Sequence, residues 1–389
     1  MNILEKLKID NCTGCHSCYS CCPVYAIKMK RDSEGFLKPS IDYDKCINCG
    51  KCVISCPIIN PPDVNTSPNY VFAAYCKDRI QHKQSASGGV FAIAAKYILE
   101  QNGYVVGAAF DSELYLKHII IHDKSELTKL VGTKYVQSEI GNVYKEVKNL
   151  LENDKMVLFA GTSCQIAGLK TFLKKDYKKL FCIDLICHGV PSPAIWSRYL
   201  YELSPDDTII NMTFRDKTKD NKKWPLVFQC ESGKEIIENY QNNKFIIGFI
   251  NNYYLRLSCY ECRFKGLKRS SDITIGDFWG LERYDNSIKS PDGTSVVIIH
   301  SEKGRNLFNN ISNEFQYKQM PEDIIYKDNS CLIESVPLSK KRNLLFKCYK
   351  KKGLLETIDK LSKPTVRQEF SRIMWKIRIH IGKMLKHRR

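Results

Sequence analysis

Two copies of one phrase dominate the start of the chain: Cys12-x2-Cys15-x2-Cys18-x3-Cys22-Pro23 and Cys46-x2-Cys49-x2-Cys52-x3-Cys56-Pro57. Two-residue gaps let three thiolates wrap one cuboidal iron-sulfur cluster from a single turning loop. The fourth cysteine of each run, followed by proline, sits too far round to close that cage and reaches the other cluster. The spacing therefore predicts two [4Fe-4S] sites with crossed ligation. One takes Cys12, Cys15, Cys18 and Cys56; the other takes Cys46, Cys49, Cys52 and Cys22. Zinc sites or disulfides are the rival readings, but zinc sites usually pair two separated CxxC knuckles rather than a doubled run in register. Cys21 is surplus to eight ligands and reads as a packed spare.

This is the spacing of a bacterial two-cluster ferredoxin, and it sets a first module over residues 1–60. Asp32-Ser33-Glu34-Gly35 is a turn signal, with Ile27, Met29, Phe36 and Ile41 on flanking short strands. A proline-rich connector follows, with the linker taken as 61–69.

The chain has 389 residues, enough for two or three domains, and 18 cysteines. Its first residues are charged and run straight into the cysteine phrase, and no stretch has the apolar length of a membrane span. So many thiols suit clusters in a reducing compartment, so a cytoplasmic location is expected. The formal charge of +18 raises nucleic-acid binding, but much of the excess lies in Lys340–Arg389 and no nucleic-acid-binding signature is present. Nucleic acid is not expected as a partner.

From Tyr70 the pattern becomes α/β. Val71–Tyr75 reads as a strand, and a loop ending Ser85-Ala-Ser-Gly-Gly89 opens an apolar-striped helix, Val90–Glu100. Such a loop suits a phosphate at a helix N-terminus, although a tight strand-to-helix turn needs the same glycines. Lys155–Ala160 and Leu180–Ile186 read as further strands. Each ends in a cysteine-bearing loop, with Cys164 and Cys187 respectively. Ligands gather at the carboxyl ends of strands in open α/β sheets, so these two cysteines are expected to meet. A CxxC, Cys259 and Cys262, follows a helix expected over Phe245–Leu257. The four could complete a third cluster site; a structural role for Cys164 is the alternative. His188 is a candidate proton donor or flavin neighbour, against a plain loop histidine. Cys76, Cys182, Cys230, Cys331 and Cys348 read as ordinary packed residues.

A series of phrases in order now points to a family: SASGG (85–89), VGTKYVQS (131–138), GTSCQIAGLK (161–170), DLICHGVPSP (184–193), FRDK (214–217), LRLSCYECRFK (255–265) and DITIGDFWG (272–280). Together they resemble the beta subunit of coenzyme F420 hydrogenase/dehydrogenase, in which a fused ferredoxin module is common. The resemblance implies FAD beside a [4Fe-4S] cluster, with electrons passing between cluster, flavin and a second redox partner. Carried over by motif, it implies that Ser87, Gly88 and Gly89 line the FAD phosphates and that Lys134, Tyr135 and Ser138 border the flavin. It likewise implies a third cluster on Cys164, Cys187, Cys259 and Cys262. Ser163 departs from the family, which usually has proline there. Membership does not imply coenzyme F420 itself, so the substrate is open.

After Pro337 the chain reads as a basic helical tail, and Val366, Phe370, Ile373, Ile377, Ile381 and Met384 give Thr365–Arg389 one apolar face. That helix could meet the inner face of a membrane peripherally or dock on protein. The expected architecture is thus α+β and α/β: a ferredoxin-like module, a flavin-binding region over 70–204 and 205–336, and a tail over 337–389. The expected function is an iron-sulfur flavoprotein oxidoreductase. It would take electrons from a ferredoxin-like donor or partner subunit and deliver them to a small-molecule or deazaflavin acceptor. A non-catalytic electron-transfer subunit, and a cluster-bearing sensing protein without flavin, are the alternatives.

Overall fold

The computed structural model describes residues 1–65, 70–219 and 224–363. The N-terminal module carries one hairpin, β1 (Ile27–Arg31) and β2 (Leu37–Ile41). Its turn is the predicted one: the Asp32 carboxylate accepts from the N–H groups of Glu34 (3.0 Å) and Phe36 (2.9 Å). Short helical turns at Ser17–Ser20 and Lys51–Ile54 complete the module around a small core that includes Ile3, Leu7, Ile27 and four of the cysteines.

The larger part is built on eight strands: β3 (Tyr70–Cys76), β4 (Tyr104–Phe110), β5 (Leu116–Ile121), β6 (Val157–Gly161), β7 (Leu180–Leu185), β11 (Ile273–Asp277), β12 (Ser295–Ile299) and β13 (Phe315–Met320). They form one sheet in the order β13-β3-β12-β11-β7-β6-β4-β5. Neighbours from β4 through β6 and β7 to β11 are parallel; the outer pairs are antiparallel. Side chains alternate across a strand, and both faces are buried. Leu158 and Ile183 enter the core under the Val90–Glu100 and Glu302–Ile311 helices. Val157, Phe159, Leu180 and Cys182 enter the core under the Val143–Glu152 and Ser163–Leu173 helices. The sheet takes strands from both sides of residue 204.

A second, three-stranded sheet holds β8 (Ile209–Thr213), β9 (Leu226–Cys230) and β10 (Glu235–Glu238). It shares an aromatic core around Trp196, Tyr199, Phe214 and Phe245 with two helices expected to belong to the tail, Arg342–Lys352 and Leu354–Ser362. Leu345, Leu354 and Ile358 are fully buried there, so this part of the basic segment is packed. The amphipathic stretch Thr365–Arg389 lies outside the described residues. Among those described, no helix is long and apolar enough to cross a membrane.

One expected helix is shorter than its pattern. Phe245–Leu257 is helical only over Lys244–Ile250, and a separate 3-10 turn covers Leu257–Cys259. Asn252 adopts a left-handed φ of 60° and turns the chain back on the helix, so that the Tyr254 ring packs over Gly248. Apolar periodicity continued past this point because the returning strand is itself buried.

Candidate functional site

The crossed pairing predicted for the eight N-terminal cysteines appears as two separate pockets. Cys12, Cys15, Cys18 and Cys56 line one, with Ile3, Leu7, Met29 and Ile58 in its walls. Cys22, Cys46, Cys49 and Cys52 line another, together with Ala26, Ile27 and Ile41. Each pocket takes three thiols from one run and the last cysteine of the other. The left-handed residues His16 (φ 64°) and Gly50 (φ 71°) turn each loop into the short helix that follows.

The two pockets differ in their surroundings. All four cysteines of the first are buried; in the second, Cys49 is exposed and Cys22 and Cys46 are half-buried. Burial, with the like charges of Cys12 and Cys56 adding to it, pushes the Cys15 thiol up to about 12. Cluster iron held by these sulfurs would supply the positive charge that favours their thiolate form. Apolar walls and four cysteines lining one pocket suit a [4Fe-4S] cluster. Among the described residues no three His, Cys, Asp or Glu side chains converge as on one metal ion.

Cys21 is half-buried with its Sγ directed at the Cys18 carbonyl (3.4 Å), a packed neighbour of the first pocket.

The second cysteine set is assembled from distant stretches. Cys164 lies in the first turn of the Ser163–Leu173 helix after β6, and Cys187 in the loop after β7, so parallel neighbours deliver both to the same sheet edge. Pro191 bridges Leu255, drawing in the CxxC loop. A Cβ on Gly189 would lie 3.3 Å from the Cβ of Cys259. Burial raises the Cys164 thiol first, and then the charges of Cys262, Cys187 and Cys259 add to it. Burial and the nearby Cys187 and Cys262 likewise push Cys259 up to about 12. The four thiols thus lie within electrostatic reach of one another.

Ser163 explains its departure from proline. Its hydroxyl donates to Asp184 at 2.6 Å, and the Arg269 guanidinium bonds both Ser163 and Asp184. This buried ion pair, at 2.8 Å, ties the Cys164 helix to β7 and to the segment following the CxxC.

His188 is held at both ring nitrogens, by Asn252 (2.7 Å) and by Cys331 (3.5 Å), with Phe249 against its ring. Its burial lowers its pKa. Cys331 therefore has a specific partner, contrary to its ordinary appearance in the sequence.

The residues expected around a flavin fall in two loops. The Gly88 N–H donates to Ser295 (2.9 Å), its carbonyl accepts from Cys76 (2.8 Å), and Ser87 donates to the Thr294 carbonyl (3.2 Å). Gly89, at φ 83°, packs so close to Cys76 that a Cβ would meet its Sγ at 2.9 Å. The glycines thus serve the tight turn, and the amide of Gly88 is already engaged. In the other loop, Lys134 caps carbonyls of Leu130 (3.1 Å) and Val131 (2.9 Å), and burial lowers it to about 7. Ser138 accepts from Gln165 (3.0 Å), and Tyr135 packs on Phe214 and Phe249.

The phrase FRDK joins these loops, a role its sequence does not announce. Lys217, fully buried, donates to the carbonyls of Ser87 (3.1 Å) and His82 (3.3 Å), and burial lowers it to about 8. Arg215 pairs with Asp277 at 2.8 Å and stacks over Trp224 at 4.5 Å. Lys217 and Arg215 thus tie the Ser87 loop to Asp277 and Trp224, beside Tyr135. Two basic residues placed just ahead of a tryptophan were the available signal.

Comparison with known proteins adds three findings. Residues 154–323 match the family described as the C terminus of the beta subunit of coenzyme F420 hydrogenase/dehydrogenase, while residues 11–58 and 38–88 match 4Fe-4S dicluster domains. A coenzyme F420-dependent sulfite reductase of Methanocaldococcus jannaschii is 25% identical over 249 residues, 60% of this chain. The match spans 36% of that relative's length. The fold is also similar, at a TM-score of 0.44 and 16% identity, to a chain of the F420-reducing [NiFe] hydrogenase complex from Methanosarcina barkeri, covering 77% of this chain and 92% of that one.

Proposed function

We propose that this chain, whose residues 154–323 match the C terminus of the coenzyme F420 hydrogenase/dehydrogenase beta subunit and whose residues 11–58 match a 4Fe-4S dicluster domain, has the role of an iron-sulfur flavoprotein oxidoreductase. It exchanges electrons between a ferredoxin-like donor or partner subunit and a small-molecule or deazaflavin acceptor. The observation that supports this reading is that parallel strands bring Cys164 and Cys187 to the same end of the sheet, where the Pro191–Leu255 bridge draws in the loop of Cys259 and Cys262, four thiols that could hold a third cluster. Cys12, Cys15, Cys18 and Cys56 would hold one N-terminal cluster, and Cys22, Cys46, Cys49 and Cys52 the other.

FAD would lie along Ser87–Gly89, Lys217, Arg215 and Tyr135, with Lys134 and Ser138 at its border. When bound, clusters carry single electrons and a flavin collects two, which lets one-electron and hydride chemistry meet. The chain's own work is to space the thiols, exclude water from the buried pocket, and set cations beside an anionic cofactor. Residues 1–60 form the entry module, and 70–204 and 205–336 share the sheet that seats the rest. The deazaflavin named for the relative is one acceptor to test.

The family alternative, a subunit that only relays to a partner enzyme, predicts flavin reduction without turnover of any small molecule until that partner is added. Anaerobic purification with iron, sulfide and released-flavin quantitation tests the cofactor content. About twelve irons and one FAD per chain are expected from three four-iron sites. About eight irons and no flavin would overturn the reading.

A further inference from the structure

Resting on that reading, we infer that Gly168 and Arg256 are positioning residues that couple the Cys12/Cys15/Cys18/Cys56 pocket, and not the Cys22/Cys46/Cys49/Cys52 pocket, to the second cysteine set. Gly168 lies four residues after Cys164 in the same helix, so the two occupy one face a turn apart. A Cβ on Gly168 would stand 2.8 Å from the Cβ of Cys15, 2.9 Å from its Sγ and 3.0 Å from the Tyr144 hydroxyl. The bare backbone is therefore a seat for Cys15 on the helix face that carries Cys164. Tyr144 donates to the Gln165 carbonyl at 2.6 Å, next to Cys164 in the same helix.

The same helix grips the loop of the fourth ligand. Thr171 donates to the Ser55 carbonyl at 2.7 Å, and that carbonyl also accepts from Ser17 at 2.7 Å. On the other side, Arg256 donates to the Cys12 carbonyl (2.6 Å), the Leu37 carbonyl (2.8 Å) and Gln137 (3.0 Å). Its own carbonyl accepts the N–H of Cys259 at 2.9 Å. One side chain thus joins Cys12 to Cys259, while Gly168 joins Cys15 to Cys164. The other pocket is lined by residues of the N-terminal module alone, Met1 to Lys51 and Cys52. Electronic coupling falls steeply with distance, so contacts at this scale decide which pocket is the partner.

The test uses the full chain purified anaerobically with its clusters, reduced, and read by electron paramagnetic resonance. The third-site signal is the one that Cys259→Ser removes. Its magnetic interaction with a neighbouring cluster should persist in Cys49→Ser and weaken several-fold in Gly168→Val at unchanged iron content. If Gly168→Val does not fold, Gly168→Ala supplies the same first contact with one methyl group. Loss of the interaction in Cys49→Ser together with its survival in the Gly168 variant, at full iron, would overturn the inference and leave the proposed function standing. About eight irons in the parent chain, with no signal lost in Cys259→Ser, would remove both.

Discussion

The two cysteine pockets of the N-terminal module are near-copies in sequence and opposites in setting. The first is closed over by the Ser163–Leu173 helix and clamped by Arg256; the second faces outward, with Cys49 exposed and Tyr43, Ile47 and Ile54 uncovered nearby. The difference teaches that a duplicated motif fixes ligands but leaves each cluster's environment to whatever packs on it. Potential, oxygen access and partner choice follow from that environment.

The largest break in this comparison should come from ligand removal. Cys18→Ser and Cys49→Ser should each cost one cluster, measured as about four irons. Only the first should also lower the unfolding temperature of the whole chain by several degrees, because the inner pocket is packed on the main sheet's helix. Equal shifts for both variants would mean that the inner pocket contributes nothing to holding the two parts together.

Next in size is chemical access. During anaerobic titration with ferricyanide or a chelator, iron should leave in two phases, the outer cluster several-fold faster. A single phase, or first loss of the signal sensitive to Cys18→Ser, would reverse the assignment of inner and outer.

A smaller effect concerns potential. Arg256 is 2% exposed and has only neutral acceptors among the described residues. An unpaired buried cation favours the more negative, reduced cluster. Arg256→Gln should lower the inner midpoint potential by tens of millivolts, on the order expected for one charge at intermediate dielectric, and leave the outer one in place. A shift of both, or of neither, would detach Arg256 from the inner pocket.

The smallest effect lies outside both pockets. Burial lowers Lys134 from 10.5 to about 7, so between those values the unfolded chain binds the extra proton. Stability due to this residue should therefore rise as pH climbs from about 7 and be lowest below it. Lys134→Met should be more stable than the parent at pH 7, with the gap narrowing by pH 9.5 in denaturant titrations. A constant gap would show that the carbonyls of Leu130 and Val131 fully offset the burial.

The sequence made local chemistry legible and long-range chemistry only partly so. The crossed pairing of Cys22 and Cys56 follows from spacing because short loops leave a thiol few places to go. The meeting of Cys164 with Cys187 follows from parallel strands that end side by side. Ser163 did not explain itself, because its partners Asp184 and Arg269 lie 21 and 106 positions away. Arg215 and Lys217 were hidden for the same reason: their partners are in the Ser87 loop and at the end of β11, at Asp277. The glycines of the Ser87–Gly89 loop carried a phosphate reading that their packing against Cys76 and Ser295 narrows. The Lys244–Ile250 helix was overextended because burial, not helicity, produced the apolar pattern beyond it.

The connector between the two parts was expected to be a simple proline-rich link, yet Asn65 bonds the carbonyls of Arg269 and Ser271 with its side chain and backbone. The hairpin turn is held too, with Glu34 paired to Arg342 and its carbonyl accepting from Ser192. A module fastened at both ends cannot work as a swinging arm. Traffic between its cysteines and the rest of the chain should then be indifferent to solvent viscosity, and thickening the medium should slow only the encounters made at the outer face.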